Sequence, residues 1–190
     1  MGMREIVIAD ILIPSLQKLY KTDYDNIRFD VSERNVCARL AHHMENIMRR
    51  YDCEHERKLF RKYYADVEYN RMGNGDIKQY ENSDHLPQKM VSDLLIQSRG
   101  KEPNYLAVEM KKRKNKLNRD DDRRRLKALV SPVPVDSSLP CVYGTLVGAF
   151  IIYSPEDVVI EIYENVDGHG ENTCEIPLQY DEIEGLHKNP

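Results

Sequence analysis

The chain has 190 residues, of which 41% are hydrophobic and 32% charged, with a formal net charge of −4. That length bounds a single domain able to bury a core, and no stretch approaches the roughly 20 uninterrupted apolar residues of a membrane helix. The N-terminus, MGMREIVIADILIP, lacks the long apolar region and small-residue cleavage site of a signal peptide, so a cytoplasmic protein with no membrane attachment is expected.

Residues 6–21 carry Ile11, Leu12, Leu16 and Leu19 at mixed helical spacing and read as a helix awkwardly interrupted by Pro14. Ser32 is placed to cap a second helix over 33–50, with Val36, Leu40, Met44 and Ile47 as its buried stripe. Within it, Glu45 and Arg49 stand four apart and read as a surface pair. Residues 64–71 alternate Ala65, Val67 and Tyr69 against Asp66, Glu68 and Asn70, which is a strand pattern. Residues 72–88 are rich in Gly, Asn and Asp and read as a loop.

Two strands follow, KMVSDLLIQS and NYLAVEMKK, joined by the hairpin-length RGKEP. Asn118 can cap a helix running to about Val130, whose first turn holds Asp120, Asp121 and Asp122. SPVPVDSSLP reads as a loop, and VYGTLVGAFIIY and DVVIEIYEN close the pattern as two apolar strands. The expected fold is α/β (α+β): one domain over 1–190, with a mixed central sheet flanked by helices. The four cysteines are too scattered for a CxxC metal or redox site, and reduced thiols are expected.

Charge is unevenly spread. Lys111 to Lys127 holds ten Lys or Arg against three Asp, whereas Glu156 to the C-terminus holds ten acids against one lysine. The basic segment is a candidate phosphate-contacting surface and the acidic one a solvating or repulsive region.

Alternation along LAVEMKK puts Glu109 and Lys111 on one face with Ala107, and Leu106, Val108 and Met110 on the other. If the hairpin pairs the two strands, Asp93 reaches the face of Glu109. Two hard oxygen ligands from neighbouring strands suit Mg²⁺ or Mn²⁺, which complete their shells with water and phosphate oxygens. A lysine beside them can orient water and offset charge on a phosphorus centre. The same residues also fit a plain polar stripe.

The run Asp93-x15-Glu109-Met110-Lys111, with an acid-bearing helix before it and a basic helix after it, resembles the PD-(D/E)XK restriction-endonuclease-like superfamily. Ser32-Glu33-Arg34, the Glu68–Arg71 segment and the Arg99-Gly100 turn add to the resemblance, which covers about 25–153; 154–190 then forms an acidic extension. Ser92 stands where the motif's proline is usual. The resemblance implies a restriction-endonuclease-like sheet and a Mg²⁺- or Mn²⁺-dependent nuclease that cuts DNA. Asp93 and Glu109 would hold the metal and Lys111 would position water. Glu33 would complete the metal site, although its place at a helix start is equally explained by the helix dipole. Glu68 is a candidate accessory acid. Lys112, Arg113, Arg123, Arg124 and Arg125 become candidate DNA-backbone contacts. A two-fold homodimer would suit duplex cleavage. The alternatives are a non-catalytic member of the fold that binds nucleic acid or protein, and a protein-interaction scaffold.

Overall fold

The first apolar cluster forms a helical rod in three pieces: α1 (Met3–Glu5), a π-helical run (Ile6–Leu12) and α2 (Ile13–Thr22). In the computed structural model, which describes residues 2–69, 79–81, 87–89, 91–99, 102–131 and 144–179, the Ile13 N–H bonds Ile8 C=O five residues back. Pro14 therefore falls in the first turn of α2, where its missing N–H does least harm. The rod is not interrupted there; it changes helical pitch instead.

After the short α3 (Tyr24–Arg28), α4 (Glu33–Glu54) begins where its sequence predicts. Ser32 Oγ accepts from Asn35 N at 3.3 Å. Val36, Leu40, Met44 and Ile47 are buried, as are Cys37, Ala41, Met48 and Tyr51 beside them. Glu45 and Arg49 do not form the surface pair expected of them. Glu45 accepts from Ala65 N, and Arg49 donates to the carbonyls of Phe60 and Tyr63, so both brace the chain as it enters the sheet.

The main sheet has six strands: β1 (Tyr64–Val67), β4 (Leu94–Gln97), β5 (Leu106–Lys112), β6 (Val147–Tyr153), β7 (Asp157–Val166) and β8 (His169–Gln179), in that spatial order. All neighbours are antiparallel except β5 and β6, which run parallel and are connected through α5 (Arg119–Val130). β2 (Gln79–Glu81) and β3 (Pro87–Lys89) pair as a separate two-stranded ribbon, within or beside the span read as a loop. The remainder of that loop, Asn70, Arg71, Gly100, 132–143 and the acidic stretch 180–190 lie outside the described residues.

Helices cover both faces of this mixed sheet. Leu94, Ile96, Leu106, Val108 and Met110, with Val147, Ala149 and Ile151 of β6 and Val158, Ile160 and Ile162 of β7, pack under α2 and α4. On the opposite face Leu95, Ala107, Phe150, Ile152 and Tyr163 pack under Leu126, Leu129 and Val130 of α5. The face of β5 carrying Glu109 is thus a covered layer between sheet and helix. The segment read as an acidic extension supplies β7 and β8 to the same sheet. Asp167 and Gly168, both at positive φ, turn the chain between them. No helix among the described residues is long and apolar enough to cross a membrane.

Candidate active site

β4 and β5 set the geometry. Their register pairs Leu94 with Val108 and Leu95 with Ala107, and one step further along it Asp93 faces Glu109. β4 stops at Leu94, which leaves the N–H groups of Met110 and Lys112 on that edge of β5 without a strand partner. Side chains take over. Asp93 Oδ2 accepts from Met110 N at 2.7 Å, and Glu33 Oε1, from the first turn of α4, accepts from Lys112 N at 3.0 Å. Glu33 Oε1 also accepts from Asn115 Nδ2 at 3.1 Å. The acid at the helix start therefore does more than favour the helix dipole, because it ties α4 to the end of β5.

Glu109 is only 1% exposed, and Arg125 of α5 grips it with Nε on Oε1 at 3.0 Å and Nη2 on Oε2 at 3.1 Å. The same Arg125 Nη2 donates to Asp122 Oδ1. Asp122, equally buried, has an Oδ2 with no hydrogen-bond partner; the Lys111 Nζ stands 3.4 Å from it and 3.9 Å from Glu33 Oε2. Four carboxylates (Glu33, Asp93, Glu109, Asp122) thus meet two cations (Lys111, Arg125), and the fully ionised cluster has a surplus of two negative charges.

That surplus is resisted by burial. Burial pushes the Glu109 carboxyl up to about 8, against the pull of Arg125, and Asp93 adds to the rise. Burial also raises Asp93, with the Met110 N–H opposing it. The Cys37 thiol, which donates to Asp93 O at 3.2 Å, is raised by burial and by the neighbouring acids.

The donor set fits a hard divalent cation in type: carboxylate oxygens from β5, from the residue before β4 and from two helices, one of them, Asp122 Oδ2, buried without a donor. The arrangement is nevertheless not a finished cage. Among the described residues no three metal-ligating groups converge as they would around an ion, and Arg125 takes both oxygens of Glu109.

The other sequence-predicted residues are distributed as follows. Glu68, with φ of 51°, donates its N–H to Asp93 O at 3.1 Å, and its carboxylate pairs with Arg34 at 2.9 Å. Asp66 turns away to Arg99 and Gln97. Lys112 pairs with Asp30 at 2.7 Å, Arg113 with Asp157 at 2.6 Å, Arg123 with Glu161 at 2.6 Å and Arg124 with Asp121 at 2.9 Å. Arg125, read as a backbone contact, points inward to Glu109 instead.

Sequence reasoning missed Asp122 as part of the cluster, because three consecutive aspartates at a helix start have a sufficient explanation in the dipole. The available signal was spacing: Asp122, Leu126 and Leu129 stand at i, i+4 and i+7, so Asp122 shares the helix's buried stripe. Comparison with protein-family models, with curated proteins and with solved structures finds no match.

Proposed function

We propose that the protein is a divalent-metal-dependent nuclease that hydrolyses phosphodiester bonds in DNA. The observation that carries this reading is the meeting of Asp93, Glu109 and Lys111 beside Glu33 and Asp122, four carboxylates against two cations. Structural ion pairs alone seldom gather two buried and two half-buried acids around two cations, since each uncompensated charge is costly in a low-dielectric interior.

Asp93 and Glu109 would hold Mg²⁺ or Mn²⁺, with Glu33 or Asp122 assisting, and the ion when bound supplies Lewis acidity and lowers the pKa of a coordinated water. Lys111 supplies a fixed positive charge. Asp122 and Glu33 hold its ammonium at 3.4 and 3.9 Å, which aims it at the space these acids share. Charge that builds on phosphate oxygens in the transition state would find the ammonium already in place. Arg125 keeps Glu109 oriented while the site waits for substrate.

A second reading, a non-catalytic member of the same fold that binds nucleic acid, is favoured by one observation. Arg125 satisfies both oxygens of Glu109 and so can serve as a permanent counter-ion.

The two readings part in a cleavage assay on linear, plasmid and single-stranded DNA with Mn²⁺, run beside Asp93→Ala and Lys111→Ala. The nuclease reading expects the parent to cut and Asp93→Ala to lose both cutting and Mn²⁺ binding. Lys111→Ala is expected to keep Mn²⁺ binding, since an ammonium has no lone pair, and to cut about 10²-fold more slowly. A parent protein that binds DNA but cuts none of these forms with Mn²⁺ gives the second reading first place.

A further inference from the structure

β5 ends at Lys112 and α5 begins at Arg119, and the segment between them, Arg113-Lys114-Asn115-Lys116-Leu117-Asn118, sets one large apolar side chain among cations. Leu117 is 76% exposed. The other exposed large hydrophobics among the described residues are Phe29 and Tyr64, and arginine guanidinium groups lie over both rings. A leucine alone on a surface needs no explanation. What sets this one apart is how firmly the chain holds it out.

Asn115 donates its N–H to Lys112 O at 2.9 Å, and its Oδ1 accepts from Leu117 N at 3.1 Å. The Arg119 guanidinium reaches back to the carbonyls of Lys112, Arg113 and Asn115 at 3.3, 2.8 and 2.9 Å. Asn118, at φ of 59°, turns the chain directly after Leu117. Leu117 adds little to the core, so these bonds serve to fix the backbone that presents it. Asn115 Nδ2 also donates to Glu33 Oε1, and the other oxygen of that carboxylate stands 3.9 Å from Lys111 Nζ. Leu117 is thus two residues, at most about 7 Å of chain, from a side chain bonded to the carboxylate cluster. Cations flank it. Lys114 shares the exposed Asp30 with Lys112, and Lys116, itself exposed, has no carboxylate partner among the described residues. Lys116 and Arg119 line a cavity of about 400 Å³ in which Asp120 and Asp121 are already paired with Arg123 and Arg124.

An apolar tip held rigidly between cations has the chemistry of a side chain that parts two stacked bases while its neighbours neutralise phosphates. A membrane surface also attracts such a loop, but a single acyl chain anchors a protein only marginally, and one leucine offers far less. We propose that Leu117 is a wedge that enters a base step of bound DNA, with Lys114 and Lys116 on neighbouring phosphates. The wedge rests on the nuclease reading for its partner, and it adds that the duplex is unstacked beside the carboxylate cluster. Unstacking costs least where bases are already mispaired, so a wedge of this kind prefers a mismatched step.

The test is fluorescence anisotropy with the full chain in EDTA, so that no cutting occurs. A labelled, fully paired duplex is compared with the same duplex carrying a central two-base mismatch, for the parent, Leu117→Ala and Lys116→Ala. The parent is expected to bind the mismatched duplex at least about tenfold more tightly, and Leu117→Ala to bind the two alike. Lys116→Ala is expected to weaken both and keep the preference, because a phosphate contact carries no information about stacking. Leu117 is exposed, so the melting temperature of Leu117→Ala should match the parent's, which excludes misfolding as the cause of a lost preference. A parent without the preference, a Leu117→Ala protein that retains it, or a Lys116→Ala protein that loses it overturns the proposal. Leu117-dependent binding to phosphatidylserine-containing vesicles, with none to either duplex, overturns it in favour of a membrane surface. The nuclease reading fails separately: a protein that shows the Leu117-dependent preference yet cuts nothing with Mn²⁺ keeps the wedge and loses that activity. One that cuts duplex DNA with no such preference does the reverse.

Discussion

At the scale of single residues, Arg125 is the group on which the candidate site turns. Its guanidinium spans Glu109 and Asp122, the place where a cation of higher charge would have to act. Arg125→Gln should therefore tighten Mn²⁺ binding by about tenfold, while Asp122→Asn should weaken it, both read by isothermal titration. Unchanged affinity in both variants would move any metal away from α5. Glu109 gives a pH signature of known sign. Burial pushes the folded carboxyl up to about 8, whereas the unfolded one releases its proton near the ordinary 4.5. Between those limits the folded state binds more protons, so this residue makes stability fall as pH rises from about 5 to 8. Glu161 works in another window. Burial opposes its charge, but hydrogen bonds from Arg123 and the Tyr163 hydroxyl outweigh it and hold the carboxyl below its usual range. Its contribution is complete above the ordinary carboxylate range and is lost only as pH falls below it. Thermal melts in EDTA from pH 5 to 8 should thus slope downward in the parent and be flatter in Glu109→Gln.

At the scale of elements, the close approach of β8 to α5 is the most exacting contact. A Cβ added to Gly170 would lie 2.1 Å from the Lys127 carbonyl oxygen, where backbone on both sides must shift. Gly170→Ala should destabilise the protein by about 1–3 kcal/mol in urea denaturation, as overpacking does, by prising the C-terminal half of α5 off the sheet. If α5 also carries Asp122 and Arg125 to the site, the same variant should alter Mn²⁺ affinity with no contact to the ion. The helices and paired strands were legible in sequence because periodicity reports burial directly: α4, with its stripe and Ser32 cap, starts where expected. The Glu109 face was legible as a side but not as a buried one. Strand alternation separates two faces without saying that α5 covers the second. β8 was missed because HGENTCEIPLQ is polar and acidic, the composition of an exposed edge strand. Its signal lay just before it, in Asp167-Gly168, a dipeptide that suits the positive-φ turn of a two-residue hairpin. Asn118 was a half-success. It does precede α5, but its φ is 59° and its side chain makes no capping bond.

At the scale of the molecule, the basic run of 111–127 is neutralised internally far more than its composition suggests. Lys112, Arg113, Arg123 and Arg124 each sit against a carboxylate, and Glu161 and Asp157 come from the acidic C-terminal portion. The charge asymmetry along the sequence is thus folded into contact across the structure. Affinity for DNA should accordingly show a shallow salt dependence, fewer than five released counter-ions in a log–log plot, because most of the segment's cations already have partners. Arg124→Ala, on the exposed side of α5, should lower that slope by about one; Arg123→Ala should instead cost stability, since it strands Glu161 under the helix. A slope near ten would mean that these ion pairs open on binding.

The side chains that finish the β5 ladder have a further consequence. Asp93 and Glu33 lend their oxygens to the N–H groups of Met110 and Lys112 where β4 gives out. Each of these carboxylates has a second oxygen, so the group that closes the strand edge keeps acceptor capacity for a guest. The edge of β5 and the candidate ligand set would then share two side chains, and removing either one should loosen that edge whether or not an ion binds.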